Sequence, residues 1–276
     1  MERFTSADGV EIVYDIWPAG EGSSGAAPPG DAPAGEASSG GSGLPPVVLH
    51  HGFIADANIN WVAPGVVGAL AGAGRTVVAL DARGHGRSGK PHDPAAYGED
   101  VMARDLSALL DVLGAPAVDL VGYSMGAVVA LIAASREPRI RRLVVGGVGA
   151  GIVELGGVDT RILAPDALVA ALQTDDPDSL TDPQTRAFRA FADAVGADRR
   201  ALAAQAASVH AAPIALARIT APTLVLAGDA DPLAGRPEVL AAAIPGAELR
   251  LVPGDHLAAV AEPAFAAHVV AFLGEA

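Results

Sequence analysis

Apolar and polar positions along the chain follow two alternating rhythms. Short, nearly continuous apolar runs of strand length recur at Val47 to His50, Thr76 to Leu80, Val118 to Val121, Leu143 to Val145, Thr223 to Ala227 and Glu248 to Val252. Between them lie stretches with helical spacing, at Val66 to Ala73, Glu99 to Leu113, Gly126 to Arg136, Pro237 to Ala243 and Pro263 to Leu273. Runs apolar throughout suit strands buried on both faces, and strands alternating with helices require crossover connections. The pattern therefore predicts an α/β architecture, a mostly parallel, doubly wound sheet covered by helices on both sides. The opening MERFTSADGVEIVYDIW alternates polar and apolar residues and supplies a short hairpin.

Two segments break the rhythm. From 149 to 217 helical stretches (Ala167 to Gln173, Gln184 to Val195, Asp198 to Val209) follow one another without a strand, which reads as a helical cap inserted after the sixth strand. The core of the fold is then expected from 1–148 and 218–276. Residues 19–46 are Gly, Ser, Ala and Pro with almost no large apolar side chain, too little to offset the entropy of ordering, so a flexible low-complexity loop joining two adjacent strands is expected there.

At 276 residues the chain can hold one sizeable core plus an inserted subdomain. Its formal charge of -14 argues against nucleic acid and anionic membrane as partners and favours a small, neutral or weakly charged molecule. Cysteine is absent, which excludes disulfides, thiol catalysis and thiolate metal sites. The first residues lack the basic head and apolar core of a signal peptide, so a cytoplasmic location is the expectation. Oligomeric state has no signature in the sequence.

The most informative chemistry is Gly122-Tyr123-Ser124-Met125-Gly126, between a strand-like and a helix-like run. A serine forced into a sharp strand-to-helix turn needs small residues two positions to either side, and Ser124 is the candidate nucleophile. A serine hydroxyl needs a base and a carboxylate to orient that base. Of the seven histidines, His256, in VPGDHL after the last strand-like run, has the chain order that goes with such an elbow. His50, His51, His85, His92, His210 and His268 are read as packing, turn or pocket residues, and adjacent His50 and His51 make poor metal co-ligands because they point to opposite faces. The acid is Asp229 or Asp231 in GDADPL, and Asp255 is the weaker choice. The N–H of Met125 and that of Phe53, in HHGF, are the expected oxyanion donors.

With HGF at 51 to 53, DARGHGRS at 81 to 88, GYSMG at 122 to 126, GDAD at 228 to 231 and GDH at 254 to 256, the chain resembles the α/β-hydrolase superfamily over nearly all its length outside the low-complexity tract and the cap. The resemblance implies Ser124, Asp231 and His256 as the triad, Asp231 because the family's acid stands three residues after the strand-ending glycine, with Phe53 and Met125 as oxyanion donors. Ala127 replaces the third elbow glycine of many relatives. The elbow serine makes the chain unlike haloalkane dehalogenases and epoxide hydrolases, which carry aspartate there.

The implied reaction is hydrolysis of a small apolar carboxylic ester or lactone, with no metal or organic cofactor. Carbon–carbon bond hydrolysis, a perhydrolase activity like that of cofactor-free haloperoxidases, and a ligand-binding protein of the same fold are the alternatives. Phe188 and Phe191 of the cap are expected to line the pocket, and Arg161 and His210 to meet a polar group of the substrate.

Overall fold

The computed structural model describes residues 1–20 and 43–275. Eight strands form one sheet in the order β1-β2-β4-β3-β5-β6-β7-β8. β1 (Glu2–Thr5) and β2 (Glu11–Trp17) make the expected hairpin, and β2 pairs antiparallel with β4 (Val77–Asp81). From there β4, β3 (Val47–His50), β5 (Val118–Tyr123), β6 (Ile140–Gly146), β7 (Thr223–Gly228) and β8 (Glu248–Val252) run parallel. Every residue of β3, β4, β5 and β7 is buried, which is why these strands read as unbroken apolar runs rather than alternating ones.

One face of the sheet is covered by α2 (Glu99–Leu113), α3 (Met125–Ala134) and α8 (Pro237–Ala243), and the other by α1 (Val66–Gly72) and α9 (Pro263–Gly274); each face has its own apolar cluster. The chain leaves β3 toward β4 on one side and reaches β5 on the other, so the strand order reverses at β3. The crevice outside the carboxyl ends of β3 and β5 is where open α/β sheets place their ligands.

Most of the tract expected as a loop over 19–46, residues 21–42, lies outside the described residues. The strands on either side of it are β2 and β3, which are not neighbours as the composition suggested. β4 enters between them and hydrogen-bonds to both, because the α1 crossover from β3 delivers the chain to that side.

Between β6 and β7 the chain forms four α-helices, α4 (Ala150–Leu155), α5 (Pro165–Gln173), α6 (Pro183–Ala194) and α7 (Arg199–Ala206), and among the described residues no strand. Two of them, α6 and α7, start at sequence-legible caps: Asp182, followed by Pro183, accepts from Thr185 N–H at 2.7 Å, and Asp198 from Arg200 and Ala201 N–H. α5 is likewise opened by a proline. Leu168, Leu172, Ala192, Leu202, Ala203 and Ala206 form a third cluster that also takes in Ile54 from the loop after β3. The buried Arg189 ties α6 to the end of α5, donating to the carbonyls of Ala171 and Thr174, where a cation meets the negative end of the helix. Among the described residues no helix is long and apolar enough to cross a membrane.

Candidate active site

Ser124 sits in the single-residue turn between β5 and α3 with φ 54° and ψ −117°, a conformation that a side chain with a Cβ occupies at a cost of about 1–3 kcal/mol. The glycines around it are dictated by crowding. A Cβ at Gly122 would collide with the carbonyl oxygen of Gly126, and one at Gly126 with those of His50 and His51, so β5, α3 and the end of β3 can approach only as glycine backbone. The Ser124 N–H donates to Gly146 O at 2.8 Å and anchors the elbow to β6.

The loops after β7 and β8 bring the remaining residues to it. His256 Nε2 lies 2.9 Å from Ser124 Oγ, and His256 Nδ1 lies 2.8 Å from Asp231 Oδ2. Asp231 is 6 % exposed, and its other oxygen accepts from Leu233 N–H at 2.9 Å and, at 3.3 Å, from Ala234 N–H. The carboxylate is thus fixed before it meets the imidazole, and a fixed anion at Nδ1 favours the tautomer whose bare Nε2 accepts the serine proton. Asp229 and Asp255 are occupied elsewhere: the first accepts from Gly254 N–H at 3.0 Å, the second caps the turn through Leu257 and Ala258 N–H.

The HHGF loop is held on two sides. His51 Nδ1 donates to Gly52 O at 2.7 Å while its Nε2 accepts from Ala82 N–H at 2.8 Å, and Asn60 Oδ1 accepts from Gly52 N–H at 2.9 Å. Ile54, a β-branched residue at φ 71°, is kept in that unfavourable conformation by its burial against α5–α7. Among the described residues neither Phe53 nor Met125 N–H makes a backbone hydrogen bond, and both residues flank Ser124 in one cavity.

Two cavities meet at Ser124. The narrower, about 50 Å³, is bounded by Phe53, Met125, Leu163, Leu168 and Phe188; the wider, about 240 Å³, by Asn60, Tyr123, Phe191, His256 and Val260. Phe188 belongs to the walls of both, and Phe191 to the wider one. Arg161 and His210, expected to meet a polar group of the substrate, line neither. The Arg161 guanidinium pairs with Asp159 and Glu154, and the backbone N–H of His210 donates to Glu99 Oε2 at 2.7 Å. Among the described residues no group of three or more His, Asp or Glu is placed to hold a metal ion.

The sequence did not single out Tyr123, Glu99 or Gln205. Tyr123 donates its hydroxyl to His256 O at 2.7 Å and lays its ring against the imidazole, setting the height of the histidine loop. Glu99, at the start of α2, lines the narrow cavity at 2 % exposure. Burial pushes its carboxyl up to about 7, against the pull of the His210 N–H. An acid whose folded pKa is raised adds stability that is complete below the unfolded value, near 4.5, and is lost as pH rises through about 7. In urea unfolding between pH 5 and 8.5, wild type is expected to lose on the order of 3 kcal/mol more than Glu99→Gln. Equal declines would reject this assignment. His50, His51 and His85, which burial holds down to about 4, 4 and 3, act at the acid end and are common to both chains.

A strand-ordered sheet with a glycine-flanked serine, a histidine and an aspartate at its carboxyl edge defines a class, the α/β-hydrolase fold carrying a serine elbow. The family model described as alpha/beta hydrolase fold matches residues 45–149, and the chain as a whole has the α/β-hydrolase fold. A hydrolase from Pseudomonas aeruginosa is similar across the whole chain, with a TM-score of 0.75, 28 % identity and coverage of 99 % of this chain and 98 % of that one. The enol-lactonase of Burkholderia xenovorans has the same fold at TM-score 0.75 and 23 % identity, covering 99 % of this chain and all (100 %) of the other. The sn-1-specific diacylglycerol lipase of Mus musculus is 42 % identical over 108 residues, 38 % of this chain and 33 % of the lipase. The chain thus spans only about a third of the length of the curated relatives it matches first.

Proposed function

We propose that the chain is a serine hydrolase cleaving a small, apolar carboxylic ester or lactone through an acyl-enzyme. The observation that carries this reading is the unbroken relay from Asp231 Oδ2 through His256 to Ser124 Oγ, at 2.8 and 2.9 Å. As Ser124 Oγ bonds to the substrate carbonyl carbon, its proton passes to His256 Nε2, and Asp231 stabilises the resulting imidazolium. The carbonyl oxygen takes up negative charge between the N–H groups of Met125 and Phe53, with Met125 at the N-terminus of α3, where the helix dipole favours an anion.

Collapse of this intermediate breaks the bond to the alkoxy oxygen, which takes the proton from His256; in a lactone it stays tethered to the acyl chain. Water then gives its proton to His256 and attacks the acyl carbon, and Ser124 Oγ recovers the proton as it leaves. Because, of the two cavities that meet at Ser124, His256 lines the wider and not the narrow one, the leaving alcohol belongs in the wider and the acyl group in the narrow one. Helices α4–α7 act in this reading as a cap whose Phe188 and Phe191 shape both sides.

Product analysis with ester, lactone, vinylogous diketone and peroxide-plus-acid substrates tests the assignment. Carboxylic acid and alcohol from short-acyl esters or lactones are the expected products. Turnover confined to the diketone or to peracid formation would replace the reading with carbon–carbon hydrolysis or perhydrolysis.

A further inference from the structure

The narrow cavity beside Ser124 has a mostly apolar wall, to which Glu99 of α2, Gln205 of α7 and the half-buried Thr160 add polar side chains. Glu99 and Gln205 are almost fully buried, at 2 and 1 % exposure, and both are under-used. Glu99 Oε2 accepts the His210 N–H and the carboxyl is also drawn by its own backbone N–H, but the side-chain contact to Oε1, from Gln205 Nε2, is a long one of 3.5 Å, and Gln205 Oε1 has only Gly98 N–H, also at 3.5 Å. Among the described residues no Lys or Arg is bonded to this carboxyl. Hydrogen bonds at that length are weak, and polar capacity buried in an apolar wall is costly until something completes it.

We infer that Glu99 and Gln205 form a subsite for a hydroxyl on the acyl part of the substrate, so that the ester or lactone cleaved here carries a hydroxy-substituted rather than a plain alkyl acyl chain. The inference rests on Ser124 being the nucleophile, since it is the position of His256 on the wider side that assigns the narrow cavity to the acyl group. A hydroxyl both donates and accepts, so it pairs with Glu99 whether or not the carboxyl is ionised, and with the Gln205 amide besides. An ammonium group fits less well. It would shed its water into a cavity of about 50 Å³ with mostly apolar walls, opposite a carboxyl that burial leaves partly protonated at neutral pH.

The test compares kcat/KM for methyl pentanoate, its 3-, 4- and 5-hydroxy derivatives and the 5-ammonio ester, in wild type, Glu99→Gln, Glu99→Leu and Gln205→Leu, with thermal unfolding used to establish that each variant is folded. One hydroxy position should be favoured over the plain ester by at least roughly tenfold, a modest return for a site built to pair a hydroxyl. That ratio should fall to near one in Glu99→Leu, drop in Gln205→Leu, and survive in part in Glu99→Gln, whose amide still pairs with a hydroxyl.

A residue that only clasps α2 to the segment at His210 would lower all esters together and leave the ratio unmoved. A wild-type preference for the plain or the ammonio ester, or an unchanged ratio in the folded variants, would overturn the subsite. Labelling of wild type by a small fluorophosphonate, lost in Ser124→Ala, is scored separately. Its failure would remove the serine mechanism, whereas its success without a hydroxy preference would remove the subsite alone.

Discussion

Ser124→Ala is expected to abolish covalent labelling by a fluorophosphonate and to lower ester turnover by about 10⁴- to 10⁶-fold, the loss that follows when a triad nucleophile is removed and only binding and oxyanion stabilisation remain. The change removes one oxygen that is 2.9 Å from His256 Nε2, and the side chain is 8 % exposed, so little packing is disturbed. What the proposed mechanism cannot replace is the acyl-enzyme. Stability should hold or rise slightly, because the residue remains at φ 54° whatever its side chain, and elbow strain is stored in the backbone. Active-site titration with the phosphonate, read by intact mass, gives the result directly. A folded variant still labelled to one equivalent would place the nucleophile elsewhere.

The elbow was readable from sequence because its constraint is local. Five consecutive residues and two flanking patterns specify a turn in which Gly122 and Gly126 meet backbone oxygens, and no distant residue is needed to infer it. The strands were legible for a related reason: burial on both faces removes the polar alternation and leaves a run such as Val118 to Val121. Their ends were less so. β5 continues through Gly122 and Tyr123, because pairing with β6 extends to Gly146, a hydrogen-bonding fact that hydropathy does not carry.

Contacts over long sequence separations were invisible. Glu99 and Gln205 stand 106 residues apart and meet only because α7 folds back over the start of α2. Glu99 taken alone is an ordinary acidic residue in the first turn of a helix, where such residues are common for their interaction with the dipole. Arg161 shows the opposite case. An arginine near a presumed pocket suggests a polar group of the substrate, but Asp159 and Glu154 lie close enough in sequence and in space to pair with it, and a neutralised guanidinium has little left to offer a ligand. The order of β2, β4 and β3 belongs with these cases, since chain neighbours in a sheet are a tendency that a single crossover reverses.

Asp231→Asn is expected to lower kcat by about 10³- to 10⁴-fold, while Asp229→Asn should cost less than about tenfold. The two side chains are two residues apart, so the comparison isolates geometry from composition. At Asp231 the carboxylate accepts from His256 Nδ1, and Leu233 and Ala234 N–H hold its second oxygen. An asparagine there keeps its carbonyl oxygen on those backbone donors and turns its NH₂ toward Nδ1. The ring must then accept at Nδ1 and carry its proton on Nε2, 2.9 Å from Ser124 Oγ, where it can no longer take the serine proton. At Asp229 the single contact is from Gly254 N–H, which an asparagine oxygen accepts equally well. Because the proposed triad would act as one unit, Ser124→Ala combined with Asp231→Asn should be no slower than Ser124→Ala alone. The reverse ranking of the two folded single variants would move the orienting role to Asp229, and a double variant slower by the product of the two losses would mean that Asp231 acts on something other than the serine–histidine pair.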